Sequence, residues 1–407
     1  MMAHPAPVRS RSSLRRLAAT ALVTLATACG ESASPAAAPA PVGAAGQADW
    51  ANVAPAAVGL DAAALEAARA YGFRDEFYTQ AILVARHGYL AAEWYAEGSG
   101  PDALGSSWSV AKSITATLIG QAIADGHIAS VDAPMTTFIP EWSDAARAQI
   151  RLRDVLAMSS GLDWVEDYEQ LTNDASTTDV VAMVLDEAPL RVAIDQPAAH
   201  PPGEVWNYSS GDTMLLGRVL RQATGKTAAD LVQEKLALPM HFRDLHWWRD
   251  AAGETYTFCC VDATARDFLK FGQLYLQRGV WGGRQLVPAA WIDTVTAPQA
   301  RANPGYGFQW WLNHPKAADG YWPSLPATTY FALGHNGQYV AVFPELDLVV
   351  VRLGQYIVPK TTDWVARVGL FGAGVFSDNL GPTGTRAPEG DWNDDRFFAL
   401  VLAAVQE

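Results

Sequence analysis

The chain reads as a mixed α/β (α+β) protein, an antiparallel sheet flanked by helices and carrying an inserted, mostly helical subdomain. Two observations predict this. Strand patterns lie near both ends of the folded part while helical periodicity fills the middle, so one sheet is built from both ends of the chain. The 407 residues, 50% hydrophobic with 33 Gly and 24 Pro, suffice for one large domain or two intimate subdomains.

Ala62 to Tyr71 is alanine-rich and reads as a helix. Gln80 to Tyr95 reads as a hairpin: Ala81 to Ala85, a turn at His87-Gly88, then Leu90 to Tyr95. Ser109 opens a helix with apolar Ile114, Leu118, Ile119, Ala122 and Ile123, closed by Gly126. Leu152 to Met158, Asp212 to Ala223 and Lys226 to Leu238 carry helical periodicity, and Thr264 to Gln277 is a further helix before Gly279. Beyond Pro304 strands are expected at Gly307 to Leu312, Thr328 to Leu333, Tyr339 to Phe343 and Leu346 to Leu353. Pro344-Glu345 turns between the last two. Gly381 to Gly390 is a loop and Asp394 to Val405 a final helix. The expected division is an export signal over 1–28, a disordered tether over 29–49, and the first part of the α/β domain over 50–130. A helical subdomain over 131–265 and the second part of the α/β domain over 266–407 complete it.

The first 28 residues carry Arg9, Arg11, Arg15 and Arg16 and no acid, followed by a short apolar run from Leu17 to Ala28. Export is therefore expected. Ala26-Thr27-Ala28-Cys29 resembles a bacterial lipoprotein cleavage site, which makes Cys29 the lipidated residue of a periplasmic or cell-envelope protein tethered to membrane; otherwise the chain is secreted. Residues 30–47 are nearly all Ala, Pro, Ser and Gly, a tether composition. The formal charge is −14, which repels phosphate backbones and excludes nucleic acid as a partner class. Cys259 and Cys260 are adjacent and read as two small buried apolar residues, so no disulfide framework is expected.

Ser109-Val110-Ala111-Lys112 places a hydroxyl and an amine one helical turn apart on one face, and no other lysine has a serine three residues before it. An amine held neutral takes the hydroxyl proton and makes serine a nucleophile. The helix N-terminus favours the negative charge that develops there. Such a pair needs a third proton-handling group and an oxyanion hole. Tyr208, on a turn after Pro201-Pro202-Gly203, is the candidate for the former, acting as base if nearby Lys112 lowers its pKa. Gly334-His335-Asn336-Gly337-Gln338 lies between two expected strands, and the Gln338 amide is the candidate to join the Ser109 amide around an oxyanion. Trp108, Trp206 and the Trp310-Trp311 pair are candidates to line an apolar cleft. No metal or other cofactor is expected: no His-Glu-x-x-His occurs, and His241 and His246 lack a third ligand. No Gly-x-Ser-x-Gly elbow occurs either.

In this order the three stretches resemble the serine β-lactamase and penicillin-binding superfamily, especially its class C-like branch of esterases, D-amino-acid peptidases and 6-aminohexanoate-dimer hydrolases. Ser109 and Lys112 match its Ser-x-x-Lys. Tyr208 matches the first position of Tyr-x-Asn, with Ser210 for Asn, and His335 and Gly337 match His-x-Gly. Ser159-Ser160-Gly161-Leu162, Pro202-Gly203 and Leu215-Leu216-Gly217 fit other signatures of the family. The resemblance covers roughly residues 58 to 375. It implies a β-lactamase/transpeptidase-like fold and acyl transfer through an acyl-Ser109 intermediate, with Lys112 and Tyr208 sharing the base role. It also implies an oxyanion hole from the Ser109 and Gln338 amides, and substrate contacts from His335, Gly337 and Ser210, to which the expected cleft position adds Trp311. The segment Gly161 to Tyr168 resembles the nylon-oligomer hydrolase group, where a tyrosine in this loop binds the amide, which implies the same for Tyr168.

Two departures from the penicillin-directed branch bear on substrate. His335 replaces a permanent lysine cation, and Ser210 lacks the two-sided amide of asparagine. Both favour a small-molecule ester or linear amide as substrate. A β-lactamase or DD-peptidase is the alternative enzyme, and a non-catalytic penicillin-binding-like sensor the alternative class.

Overall fold

The computed structural model describes residues 40–44, 47–167, 178–318, 320–355 and 388–406. The expected export signal, Cys29, Tyr168 and most of the Gly381 to Gly390 loop lie outside these residues. In chain order, helix α1 (Ala62–Gly72) precedes the hairpin β1 (Thr79–Arg86) and β2 (Tyr89–Tyr95), strand β3 (Leu104–Ser106) and helix α2 (Val110–Ala124). Helices α3 (Leu152–Leu156), α4 (Asp179–Leu185), α5 (Pro189–Ile194), α6 (Ser210–Thr224) and α7 (Ala228–Val232) follow. Strands β4 (Leu245–Trp247) and β5 (Val261–Thr264) lead into α8 (Ala265–Leu276). A short ribbon of β6 (Val280–Trp281) and β7 (Arg284–Gln285) and helix α9 (Ala289–Val295) come before β8 (Trp311–Leu312). The last elements are β9 (Tyr330–Gly334), β10 (Gln338–Phe343), β11 (Leu348–Gly354) and helix α10 (Asp394–Leu402).

The main sheet has the order β2-β1-β11-β10-β9-β8, every pair antiparallel. Within it β1 pairs with β11, an early strand against a late one, as the strand patterns at both ends predict. Alternation of side chains divides the apolar residues between two layers. Leu83, Ala85, Val349 and Val351 pack into the core shared with α2 and α8. Ile82, Val84 and Val350 pack into the core shared with α1 and α10, against Leu65, Phe397 and Phe398. A strand buried on both faces needs a near-continuous apolar run, and Leu348–Gly354 is buried throughout.

Three features differ from expectation. A second sheet, β3-β5-β4, lies within the chain; its strands are three or four residues long, too short for a visible period. The strand expected from Gly307 shrinks to Trp311–Leu312, because Gln309 sits at φ 63°, outside the strand region. Cys259 and Cys260, expected as unlinked apolar residues, are joined as a vicinal disulfide. Both are buried, and Cys260 lies at φ 71°, a turn that puts both sulfurs on one side of the chain. The bond closes no long loop, so it is not a framework of the kind that stabilises small secreted domains.

Candidate active site

The short sheet positions the start of α2. Ser106 pairs with Asp262 across β3 and β5. The next residue, Ser107, donates its amide to the Val261 carbonyl at 2.7 Å and accepts the Val261 amide on Oγ at 2.8 Å. Trp108 then adopts φ 42°, a left-handed conformation unusual for a bulky side chain, and Ser109 stands at the N-cap of α2. Amides of Val110, Ala111 and Lys112 close the first turn on the Ser107, Trp108 and Ser109 carbonyls.

Lys112 is 1% exposed. Its Nζ lies 3.0 Å from Ser109 Oγ, 3.0 Å from Ser210 Oγ and 3.1 Å from the Phe258 carbonyl. Burial pushes its pKa down to about 8, against the opposing attraction of the Glu166 carboxylate. The amine also stands over the Tyr208 ring, 4.9 Å from its centre.

Tyr208 hydrogen-bonds the Ser109 side chain. Burial raises its phenol pKa far above the ordinary tyrosine value, and the nearby Glu166 charge adds to the rise. The expectation from sequence is the opposite, with Lys112 lowering that pKa. The structure corrects it: burial outweighs the amine, and Tyr208 is a neutral phenol.

Glu166 is the residue that sequence reasoning misses. Its Oε2 accepts from Trp164 Nε1 at 2.6 Å and from the Ser210 amide at 2.8 Å, and its Oε1 accepts from Ser210 Oγ at 2.5 Å. Nothing in the spacing of Trp164-Val165-Glu166 marks it.

These groups open onto a cleft of about 450 Å³ lined by Ser109, Glu166, Trp206, Asn207, Tyr208, Trp311 and the run Leu333-Gly334-His335. Trp311 is in the cleft wall as expected, 5.5 Å from the Tyr208 ring and 6.0 Å from Trp206. Trp310 goes instead into the core, stacked 5.8 Å from Phe271. His335 is exposed at the cleft and meets Trp108 edge-on at 5.4 Å. The protein walls around it hold its pKa below the ordinary histidine value, so it is neutral at pH 7.

Three expected contacts move. Ser210 is fully buried and turns to Lys112 and Glu166, not to substrate, because Glu166 holds both its amide and its hydroxyl. Gly337 does not face the cleft. At φ 74° it packs on the Arg352 guanidinium, where a Cβ would collide. Gln338 is buried on β10, paired with Gly334 of β9, while β9 itself lies against α2. Gln338 is absent from the cleft lining, and its side chain serves the turn by accepting the Gly354 amide at 2.9 Å. The main chain beside Ser109 belongs to Gly334 and His335. Gly334 approaches the Ser107 carbonyl so closely that any side chain would collide with it.

The Beta-lactamase family model matches residues 66–359. The chain is 27% identical over 349 residues to a 6-aminohexanoate-dimer hydrolase of Paenarthrobacter ureafaciens, covering 80% of this chain and 84% of that one. It is 32% identical over 217 residues to esterase EstB of Burkholderia gladioli, covering 48% and 54%. A penicillin-binding protein homologue from Caulobacter crescentus superposes with a TM-score of 0.59 at 17% identity, covering 72% of this chain and 91% of that one. With a family match over most of its length and hydrolases among its relatives, the chain belongs to the β-lactamase family and is a serine hydrolase.

Proposed function

We propose that this hydrolase cleaves small esters or linear amides through an acyl-Ser109 intermediate. The observation that carries the reading is the charge of the cleft. Its lining holds the Glu166 carboxylate and a neutral His335, and among the described residues that line it there is no lysine or arginine. A β-lactam or D-Ala-D-Ala carboxylate meets repulsion there rather than a cation. The name of the Paenarthrobacter relative supports an amide of this class, and that of the Burkholderia relative an ester.

In the proposed reaction Lys112 takes the Ser109 proton as Oγ attacks the carbonyl carbon. The amides of Ser109 and His335 hold the oxyanion, His335 replacing Gln338. Tyr208 gives its proton to the leaving group and regains one from the Lys112 ammonium; the same groups in reverse activate the deacylating water. A fluorophosphonate probe is expected to add one label at Ser109, read by intact and peptide mass, and none in Ser109→Ala. A panel of p-nitrophenyl esters, linear ω-amino amides and nitrocefin then ranks substrates. Faster turnover of nitrocefin than of every ester and amide would overturn the assignment.

The basic leader, apolar run and Cys29 support an exported, lipid-tethered protein. Radiolabelled palmitate is expected to enter the wild type and not Cys29→Ala.

A further inference from the structure

The three acceptors around Lys112 differ in what they can donate. The Phe258 carbonyl has no proton. Ser210 has one hydroxyl proton, and at 2.5 Å from Glu166 Oε1 that proton points to the carboxylate. Ser210 Oγ therefore offers Lys112 a lone pair, at 3.0 Å. Two of the three directions around Nζ are thus committed to N–H bonds whatever the charge of the amine. The third points to Ser109 Oγ, also at 3.0 Å. As an ammonium, Lys112 donates along it; as a neutral amine, it turns its lone pair there and accepts the Ser109 proton.

We propose that Glu166 is a positioning residue for acylation: by fixing the direction of the Ser210 proton, it forces Lys112 to aim its one free direction at Ser109. Resting on the acyl-Ser109 reading above, the step is balanced. The Ser109 O–H bond breaks, its electron pair forms the bond to the carbonyl carbon, the carbonyl π pair moves onto its oxygen as the oxyanion, and the proton joins the Lys112 lone pair. No other hydrogen bond of the amine changes, so little reorganisation accompanies the transfer. The carboxylate is itself fixed from two further sides, by Trp164 Nε1 and the Ser210 amide. The titratable groups facing Lys112 are Glu166 and Tyr208, while Asp212 and Tyr306 also feel the Glu166 charge.

Glu166→Gln tests this. An amide at this position can donate to Ser210 Oγ and reverse the serine hydroxyl, which then competes for the Lys112 lone pair. Removal of the negative charge also makes the amine easier to deprotonate. The expected result on a p-nitrophenyl ester is an acylation rate constant lower by about 10- to 100-fold with KM nearly unchanged. The acidic limb of the acylation profile moves to lower pH by about one unit. Ser210→Ala is the second variant. It breaks the link but keeps the carboxylate, so the rate falls while the limb moves less, and Ser210→Thr restores most of the rate. Circular dichroism and thermal melting confirm that each variant folds.

An unchanged rate and profile in Glu166→Gln, or a loss confined to KM, overturns the proposal, the latter by making Glu166 a substrate contact. Wild type that takes no fluorophosphonate at Ser109 would mark failure of the acyl-enzyme reading instead. Labelled wild type with indifferent Glu166→Gln and Ser210→Ala variants marks failure of the positioning role alone.

Discussion

The Phe258 carbonyl accepts a hydrogen bond from Lys112 Nζ at 3.1 Å, so the buried amine is held from the connection between β4 and β5 by a main-chain dipole rather than by a salt-bridge partner. With its pKa pushed down to about 8, Lys112 is about one-tenth neutral at pH 7. The neutral form is the base, so acylation is expected to rise with pH and level off above about 8. Burst kinetics with a p-nitrophenyl ester measures this directly. A rate flat from pH 6 to 9 would show that the limiting proton leaves a different group, and the midpoint is a property of the coupled Lys112–Tyr208 site.

Tyr208→Phe removes the proton donor and keeps the ring against Trp311. A linear amide, whose amine leaving group needs that proton, is expected to lose about 100-fold or more in kcat. A p-nitrophenyl ester, with its good leaving group, loses distinctly less. Equal losses on both substrates would argue for a packing role.

The carbonyl that holds Lys112 is followed at once by the bonded Cys259–Cys260 pair. Cys259 also offers its carbonyl to Trp247 Nε1 at 2.8 Å, and Cys260 offers its own to the Trp248 amide at 3.1 Å. Two-electron reduction by a dithiol opens the ring and frees the backbone at Cys260, held at φ 71°. Acylation is expected to slow about several-fold with KM held, in step with a mass gain of about 2 Da. Cys259→Ala/Cys260→Ala should reproduce the slower rate and make it indifferent to the reductant.

Arg352 is fully buried and donates to the carbonyls of Gly337 at 2.6 Å, Asn336 at 3.2 Å and Phe77 at 2.5 Å. Its guanidinium also lies 4.6 Å from the Trp392 ring centre. The turn that carries His335 is thus braced from behind by Arg352, with Gln338 Nε2 donating to the His335 and Asn336 carbonyls at 3.3 Å. Arg352→Met removes these donated hydrogen bonds and is expected to cost about 3 kcal/mol in a denaturant titration. Ester turnover should fall as well, since the His335 main chain loses its support. A variant of wild-type stability would refute the bracing role.

Much of the fold was legible in the sequence because its strongest patterns are long. Eight residues of β1 and seven of β11 carry enough β-branched and apolar side chains to be read as buried strands, and α6 and α8 show clear helical spacing. The placement of Ser109, Lys112, Tyr208 and Trp311 around one cleft also follows from motif order. The rest depends on direction, which spacing does not carry. Ser210 lies two residues beyond Tyr208, but the α6 start turns it beneath the cleft toward Glu166. Gln338 and His335 are three residues apart across a turn, and only the folded turn shows which of them lines the cleft. Glu166 owes its place to Ser210 and Trp164, contacts with no sequence signature.

Ser109 and Lys112 come from α2, Glu166 from the segment after α3, Tyr208 from the entry to α6, and His335 from the turn after β9. Four distant stretches must dock within hydrogen-bond tolerance before an ester is turned over. Recovered turnover during refolding is therefore a stringent clock for native assembly. It should lag the return of helical circular dichroism, and its delay measures how long α2, α6 and the sheet take to find one another after each has formed.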